Sequence, residues 1–270
     1  MEKKLVIVRG GGDLATGTIH RLWSAKMSVL VLEAEYPAAI RRQVSISEAI
    51  YDGQTIVEGM KGVRISNCEA AEKVIAEGNV PVLADPEGDA IGKLQPAVVV
   101  DAILAKKNLG THKDMAPLTV ALGPGFEAGK DVDIVIETMR GHNLGRMIRS
   151  GCAIPNTGIP GNIGGYTEKR VIHAAEAGIF HNLRKIGDVV TEGEEIAWIE
   201  MPDGRVCPVS ATISGIIRGL LREGYPITKG FKIADIDPRR EELANCFTIS
   251  DKARCIAGSV LEAVIPYYFC

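Results

Sequence analysis

The N-terminal stretch Leu5-Val6-Ile7-Val8-Arg9-Gly10-Gly11-Gly12-Asp13-Leu14-Ala15 decides the fold of the first half of this chain. Its four apolar residues predict a buried strand, and the run of glycines predicts a tight turn directly after it. A helix is expected where the glycines end, because apolar residues follow there at helical spacing. These residues are Ala15, Ile19, Leu22 and Trp23. A second apolar run, Val29–Leu32, ends at Glu33, so the stretch predicts a strand–turn–helix–strand unit that ends in an acid.

The small residues of this turn have the spacing G-x-G-x-x-G/A, which is typical of dinucleotide-binding units. In that motif the glycines permit a tight turn and a close approach of backbone to a pyrophosphate, which the helix N-terminus attracts. An acid about twenty residues further on accepts a ribose hydroxyl. We therefore predict a phosphate or nucleotide site, the alternative being an ordinary βαβ turn that binds nothing. The predicted binding residues are Gly10, Gly11, Gly12, Asp13, Ala15 and Glu33, joined by Arg140 and Arg146 later in the chain.

Composition narrows the class of protein. The chain has 270 residues, 46% of them hydrophobic, which is enough for one large domain or two ordinary ones. A formal net charge of -3 argues against a nucleic-acid binder. No apolar run is long enough to cross a bilayer, and the N-terminus lacks the apolar stretch of a signal peptide, so we expect a cytoplasmic protein. None of the six cysteines forms C-x-x-C, so no metal site is predicted.

Predicted strands and helices alternate along residues 1–167, and the strands are continuously apolar. This pattern favours a Rossmann-like parallel sheet covered by helices on both faces. One of the predicted helices spans Ala102–Lys107. Ligands of such sheets bind at the carboxyl ends of the strands. Asp101 directly follows an apolar run at such an end, and it is a candidate catalytic residue.

Two further candidates lie in the loops that follow the last predicted strand of this domain. His142 stands between Arg140 and Arg146, so that a proton-transferring imidazole neighbours two side chains suited to phosphate or carboxylate. The alternative is a solvated turn held by glycines. Cys152 opens a glycine-rich loop close to Arg149, and nearby cations would lower its thiol pKa and make it a nucleophile. Its alternative is an inert buried cysteine.

The second half of the chain contains an internal repeat. Gly178-Ile179 matches Gly215-Ile216, and the same offset without gaps pairs Leu183 with Leu220, Gly187 with Gly224, Thr191 with Thr228, Gly193 with Gly230, Ile196 with Ile233, Ala197 with Ala234 and Ile199 with Ile236. Short apolar pairs between regular glycines predict two small sheet-forming units that must pack on each other. We therefore predict an all-β module over 168–240.

The C-terminal segment 241–270 returns to α/β character. Ser250 is a predicted N-cap, and Ile256, Val260 and Val264 line one face of a helix that is expected to end at Pro266. We expect this strand-and-helix segment to pack on the first domain. The β module would then be an insertion.

The repeat resembles the biotinyl/lipoyl barrel-sandwich fold. Gly187–Gly193 is similar to the G-D-x-V-x-x-G turn of that family. Carrier domains present a modified lysine on the hairpin between the repeats, which here is Met201–Cys207. No lysine lies between Lys185 and Lys229, so a carrier function is not expected. A rigid scaffold or docking surface is the expected role of the module.

Motifs along nearly the whole chain resemble the YqeB-type accessory proteins of selenium-dependent molybdenum hydroxylase systems. They are Arg9–Ala15, Arg41–Ser45, Asp101–Gly110, Gly123–Phe126, Arg140–Arg146 and Ser250–Ala253. The glycine turn is also similar to the Rossmann part of XdhC-type accessory proteins. The resemblance implies a role in maturing a molybdenum hydroxylase, with no catalytic residues to transfer, so whether the chain is an enzyme stays open.

The resemblance also implies ligands and partners. The ligand is left open among NAD(P), another nucleotide and a molybdopterin-type cofactor. The expected partners are a molybdenum hydroxylase client or other maturation proteins and a small phosphate-bearing ligand, with a homo-oligomer left open and no nucleic acid or membrane. One alternative is a free-standing NAD(P)-dependent oxidoreductase, although no Ser/Tyr/Lys dehydrogenase set is present. The second alternative is a non-catalytic scaffold with a vestigial glycine loop.

Overall fold

A computed structural model describes residues 4–269 of the chain, which divide into two compact units. Unit 1 comprises the described residues of 1–37, 45–157 and 249–270. Unit 2 comprises Ala38–Val44 and Gly158–Thr248. The chain thus leaves unit 1 twice and returns to it with its C-terminal segment.

Unit 1 is an α/β structure. Its strands are β1 (Leu5–Arg9), β2 (Ser28–Glu33), β3 (Gln54–Val57), β4 (Met60–Ile65), β5 (Val80–Ala84), β6 (Val98–Asp101), β7 (Leu118–Leu122), β8 (Glu127–Ala128), β9 (Ile134–Ile136), β10 (Met147–Ile148) and β11 (Gly151–Cys152). Its helices are α1 (Asp13–Ser24), α2 (Ala49–Asp52), α3 (Ala71–Ala76), α4 (Asp89–Leu94) and α5 (Asp251–Phe269). Short 3₁₀ helices lie at Ile46–Glu48, Cys68–Ala70 and Lys113–Met115.

The main sheet has nine strands in the order β10-β9-β7-β6-β1-β2-β5-β4-β3, and a separate ribbon pairs β8 with β11. Every neighbouring pair from β4 to β9 is parallel, whereas the edge strands β3 and β10 are antiparallel to their neighbours. The β3 edge is antiparallel because a two-residue hairpin joins it to β4, with Glu58 and Gly59 both at positive φ. The predicted parallel sheet is therefore a mixed sheet.

Helices cover both faces of this sheet because its strands are apolar on both sides. On one face α1 and α5 pack against each other over residues such as Val6, Val8 and Ile256. On the other face α3 and α4 cover Ile7 and Val99. Helix α5 begins as predicted, since the Ser250 Oγ accepts a hydrogen bond from the Ala253 N–H at 3.2 Å. It continues through Pro266 to Phe269, so the expected end at Pro266 is wrong: the proline lies inside the helix, where it removes one backbone hydrogen bond without ending the helix.

The predicted helix Ala102–Lys107 is also wrong. The Asp101 Oδ1 accepts the N–H of Ile103 at 3.2 Å, so a side chain turns the backbone away from helical geometry. Leu104 and Lys106 then adopt positive φ values of 60° and 62°, which no right-handed helix accommodates.

Unit 2 is built from strands. They are β12 (Val171–His173), β13 (Gly178–Asn182), β14 (Val189–Val190), β15 (Glu195–Glu200), β16 (Val206–Ser210), β17 (Gly215–Leu220), β18 (Tyr225–Ile227) and β19 (Lys232–Asp237). Short 3₁₀ helices lie at Arg42–Val44, Glu168–Arg170 and Arg240–Phe247. Two four-stranded antiparallel sheets, β12-β19-β17-β14 and β16-β15-β13-β18, share one apolar core.

The sequence repeat recurs in the contacts of unit 2. The Gly187 N–H donates to the Ile217 carbonyl, and the repeat counterpart, Gly224, donates to the Phe180 carbonyl, both at 2.8 Å. In the same way each copy supplies an inner strand, β13 or β17, to a different sheet. The two copies therefore exchange equivalent hydrogen bonds across the core.

The predicted fold class was a Rossmann-like parallel sheet with a barrel-sandwich module, and it is wrong. The large sheet is mixed, and β5 rather than β4 lies beside β2, so the order departs from the Rossmann order of consecutive strands. The eight strands of unit 2 form two separate antiparallel sheets. Among residues 4–269, no helix combines the length and apolarity that a bilayer crossing requires.

Candidate functional site

The glycine turn lies between the end of β1 and the start of α1. Gly10 has φ 95°, and a Cβ added there would lie 2.9 Å from the Ala102 carbonyl oxygen, so only glycine fits. Gly12 differs, because its backbone is extended and no atom lies within 4 Å of an added Cβ. Ala15 is fully buried against the sheet. The turn therefore leaves open space at Gly12, at the N-terminus of α1.

The carboxylate of Glu33 lies on the glycine turn. One oxygen accepts the Gly11 N–H at 2.6 Å, and the other accepts the Ala34 N–H at 2.7 Å. Burial raises the pKa of this carboxyl above its ordinary value, and the hydrogen bonds from Ala34 and Gly11 oppose that shift. The Gly11 N–H is therefore already committed to an anionic group of the protein itself.

The segment after residue 44 covers the other side of the turn. The Ser47 N–H donates to the Gly11 carbonyl at 3.0 Å, and the Ile46 N–H donates to the Thr16 Oγ1 at 2.9 Å. The Thr16 hydroxyl donates in turn to the Gly12 carbonyl at 2.8 Å. Ser47 is fully buried, and within residues 4–269 its hydroxyl has no hydrogen-bond partner. An unsatisfied buried hydroxyl thus lies beside the glycine turn.

The start of α5 brings further charges to unit 1. Arg140, which follows β9, makes a bidentate ion pair with Asp251, both N–O distances being 2.9 Å. Ala253, two residues after Asp251 on α5, packs tightly against Gly17. A Cβ added to Gly17 would lie 2.7 Å from the Cβ of Ala253. Gly17 therefore lets the second turn of α1 and the first turn of α5 approach closely.

Lys252 is half-buried in this first turn of α5. Burial is the main cause that lowers its pKa, and the charge of Arg140 lowers it further. The carboxylates of Asp13, Glu137 and Asp251 act in the opposite direction. In the part of the chain that the structure describes, the Lys252 ammonium makes no hydrogen bond and no ion pair within 4.0 Å. Its charge is therefore not committed to one partner.

Glu137 fixes the loop behind this lysine. It is buried, and its two oxygens accept the N–H groups of Met139 at 2.6 Å and Ile154 at 2.8 Å. Its backbone also bonds to Arg146 and Gly145, at 2.9 Å each. The carboxylate thus holds both loops that follow β9, including the one that carries Arg140.

Asp101 belongs to a buried network that faces away from solvent. Its Oδ2 accepts the Thr111 hydroxyl at 2.6 Å, and that hydroxyl accepts the Arg9 guanidinium at 2.6 Å. Arg9 also donates to the Pro86 carbonyl at 2.9 Å. Burial raises the Asp101 pKa, and Thr111, Ile103 and Arg9 oppose it. These hydrogen bonds join the carboxyl ends of the neighbouring strands β1 and β6 to the loop that carries Thr111.

The predicted site residues fall into two groups. One group lies together at the glycine turn and consists of Gly10, Gly11, Gly12, Asp13, Ala15 and Glu33. Arg140 belongs to the same region, because its charge and that of Asp13 both act on Lys252. His142, Arg146 and Cys152 are exposed. Cys152 pairs with Glu127 in the β8–β11 ribbon. It is not a buried cysteine, and its reactivity stays a prediction. Sequence reasoning missed Ser47, Glu137 and Lys252, which carry no motif and reach the site through packing.

A shallow cavity of about 340 Å³ lies elsewhere, in unit 2, along Met201, Arg205, Val206 and Cys207. Its polar lining groups are the guanidinium of Arg205, the thiol of Cys207 and the carboxylate of Glu176. The described residues contain no group of three or more His, Cys, Asp or Glu side chains placed to hold a metal ion. The glycine turn with the start of α5 is therefore the candidate site.

No protein-family model matches the chain. The uncharacterised protein YqeB of Escherichia coli (strain K12) is 50% identical over 262 residues, which cover 97% of this chain and 47% of that protein. The chain thus spans about half the length of this curated relative.

The similar solved structures include an aspartoacylase family protein from Mesorhizobium loti, at 12% identity and TM-score 0.30, covering 87% of this chain and 85% of that one. The ectoine utilization protein EutE (DoeB) from Ruegeria pomeroyi has 9% identity and TM-score 0.29, covering 86% and 85%. A succinylglutamate desuccinylase/aspartoacylase from Rhodobacter sphaeroides has 13% identity and TM-score 0.28, covering 88% and 86%. TM-scores this low carry no argument about the activity of this chain.

These findings correct the family resemblance and the function drawn from it. None of the three similar structures bears the name of a molybdenum hydroxylase accessory protein or of a carrier domain, and none lends an activity to this chain. The YqeB relative is itself uncharacterised, so it lends no maturation role. The predicted role in selenium-dependent molybdenum hydroxylase maturation, the XdhC-like and barrel-sandwich assignments, and the oxidoreductase and scaffold alternatives are not carried forward. The homo-oligomer stays a prediction.

Proposed function

We propose that unit 1 binds a small anionic ligand, through a phosphate or carboxylate group, where α1 and α5 begin. The observation that carries the proposal is the open space at Gly12. The N-terminus of α1 has no side-chain cap there, and no protein atom fills the position that a Cβ would take. An uncapped helix start with free space in front of it is suited to an anion.

The charges around Gly12 support the same proposal. Lys252 brings a cation that has no partner within ion-pair distance among residues 4–269, and Arg140 lies beside it. Both helix N-termini add partial positive charge, which stabilises anions by about 0.3–1 kcal/mol each near solvent. The buried Ser47 hydroxyl beside Gly11 provides a hydrogen-bonding group that lacks a protein partner in the described chain.

Glu33 restricts what else the ligand carries. Because its carboxylate accepts the Gly11 N–H, a second anionic group at this position would be repelled. A hydroxyl or amino group could instead donate to the same carboxylate. We propose a ligand with one anionic end at Gly12 and a hydrogen-bond donor toward Glu33.

The test compares Gly12→Val with Gly92→Val. Both glycines have open space around an added Cβ and neither has a positive φ, but Gly92 lies in α4, on the opposite face of the sheet. Thermal unfolding is followed with inorganic phosphate and with pyruvate, against sodium chloride of equal ionic strength. A ligand at a hundred times its Kd stabilises a protein by about 2.7 kcal/mol.

We expect saturable stabilisation by at least one of the two anions in the parent protein and in Gly92→Val. Gly12→Val should fold but lose the effect, because its side chain fills the space for the anion. Two results would contradict the proposal. One is that the anion stabilises Gly12→Val as much as the parent protein. The other is that neither anion stabilises the parent, Gly92→Val or Gly12→Val more than sodium chloride does.

A further inference from the structure

We infer that His181 is the centre of a pH-dependent switch in unit 2. When its imidazole is charged it holds two carboxylates, those of Glu200 and Glu223, and when it is neutral it can hold only one. The charged ring thus joins β13 both to β15 and to the turn that precedes β18, and the neutral ring gives up one of these links. This device lies outside the anion site proposed at Gly12 and does not depend on it.

The imidazole of His181 lies between the two carboxylates. Its Nδ1 is 2.6 Å from the Glu223 Oε1, and its Nε2 is 3.3 Å from the Glu200 Oε2. The ring stacks on the Trp198 indole with a centroid distance of 4.0 Å, which fixes its orientation. The second oxygen of Glu223 accepts the Asn182 N–H at 2.6 Å, so this carboxylate is itself held in place by β13.

The number of N–H groups on the ring decides how many carboxylates it can hold. A neutral imidazole has one N–H, and a charged imidazole has two. The short contact at Nδ1 assigns the single proton of the neutral ring to the bond with Glu223. The Nε2 lone pair of His181 then faces the Glu200 oxygen, and within residues 4–269 this buried atom has no hydrogen-bond partner. Protonation of Nε2 replaces that unfavourable contact with an attraction between opposite charges.

The charges that face the ring are those of the two carboxylates. The residues that neighbour this cluster on β16, β13 and β18 are uncharged, namely Val206, Pro208, Ile179 and Pro226. Burial acts to raise the pKa of Glu223, but the hydrogen bonds from Asn182 and His181 and the charge of His181 lower it below its ordinary value. Glu223 therefore stays charged where histidine titrates, between about pH 5 and 8.

The internal repeat provides a permanently charged counterpart of this switch. At the offset that matches the two copies, His181 corresponds to Arg218, and Glu200 corresponds to Asp237. Arg218 on β17 donates to the buried carboxylate of Asp235. An arginine stays charged over the whole range in which histidine titrates. The sheet that contains β13 should therefore respond to pH, and the sheet that contains β17 should not.

The experiment measures hydrogen exchange of two equivalent backbone amides in the whole chain, between about pH 5 and 8. The Gly224 N–H, in the turn before β18, donates to the Phe180 carbonyl, and the Gly187 N–H makes the equivalent bond in the other sheet. Protection factors correct each rate for the intrinsic pH dependence of exchange. They are compared in the parent, His181→Gln and His181→Arg. His173→Gln, which changes an exposed histidine on β12, is the control.

We expect the protection factor of Gly224 to fall about two- to fivefold from the low to the high end of this range, which is the size typical of partly exposed ion pairs. That of Gly187 should stay constant. At every pH, His181→Gln should show the low value and His181→Arg the high value, because neither side chain titrates there. His173→Gln should behave as the parent does.

Two results would overturn the inference. One is a parent protein in which the protection factor of Gly224 does not change with pH, or changes no more than that of Gly187, and this result needs no variant to fold. The other is a His181→Gln protein that keeps the pH dependence of the parent.

Discussion

The carboxylate of Glu33 accepts the backbone N–H of Gly11 at 2.6 Å. In a turn of this spacing, that N–H would be expected to face a bound pyrophosphate. Here an acid of the protein is bound to it, at the end of β2, and the free space lies one residue further on at Gly12. The two residues together therefore determine where an anion can bind and where it cannot.

The buried Glu33 makes the stability of unit 1 depend on pH. Because its pKa is raised in the folded protein, the folded state holds the proton more tightly than the unfolded chain. The free energy of unfolding therefore falls as pH rises from the unfolded carboxyl pKa, about 4.3, to the folded one. Glu33→Gln should lose this fall, so the variant gains stability relative to the parent as pH rises through that window.

Urea denaturation at a series of pH values measures this difference. A Trp198→Phe background leaves Trp23 as the single tryptophan, and Trp23 lies in unit 1. Subtracting the unfolding free energies of the two proteins at each pH isolates the contribution of Glu33, since all other carboxylates are common to both. A difference in unfolding free energy that does not change with pH would contradict the prediction.

The Arg9–Thr111–Asp101 network predicts a large effect of an isosteric substitution. Thr111→Val keeps the shape but removes one hydrogen bond to each of two buried charges. Hydrogen bonds to charged groups contribute about 1.5–3 kcal/mol each, so the loss of two should cost unit 1 at least about 3 kcal/mol. Thr55→Val, half-exposed on the edge strand β3, is the matched control and should change stability by no more than about 0.5 kcal/mol. Equal effects of the two substitutions would show that the network contributes little.

The repeat in unit 2 predicts equal effects at equivalent positions. A Cβ added to Gly178 would overlap the Glu200 carbonyl, and one added to Gly215 would overlap the Asp237 carbonyl. Each alanine variant should lose at least about 1–3 kcal/mol, because backbone must shift. Trp198 reports on unit 2 in a Trp23→Phe background. Clearly unequal losses would mean that the two copies are not equivalent in energy.

The local elements of this fold could be predicted from the sequence better than their arrangement. Leu5–Ala15 predicts β1, the turn and α1 because each signal is local: apolar residues, glycines, helical spacing. The strand order could not be predicted, since continuous apolar strands fit several neighbours equally well. The helix predicted after Asp101 does not form, because the Asp101 carboxylate accepts the backbone N–H of Ile103. The sequence predicted a catalytic candidate at this position and gave no sign of this local hydrogen bond.

The residues of the candidate site likewise divide into those that a local motif predicts and those that only the packing of distant segments brings there. Gly12 and Glu33 are visible as a motif, whereas the position of Lys252 depends on how α5 packs against α1 through the Gly17–Ala253 contact. Those segments are far apart in sequence, and no spacing rule connects them. Similarly, the exposure of His142 and Cys152 depends on the loops that Glu137 holds, which a local pattern does not contain.

The most direct measurement of the central claim is a titration of isotopically labelled protein with inorganic phosphate, followed by the amide resonances of unit 1. The account predicts saturable shifts, largest for Gly12, Asp13 and Leu14 at the start of α1 and for Lys252 and Ala253 at the start of α5. The amide of Gly92 should not move. Saturable shifts centred elsewhere, or only the uniform drift that sodium chloride also produces, would contradict an anion site at the junction of these two helices.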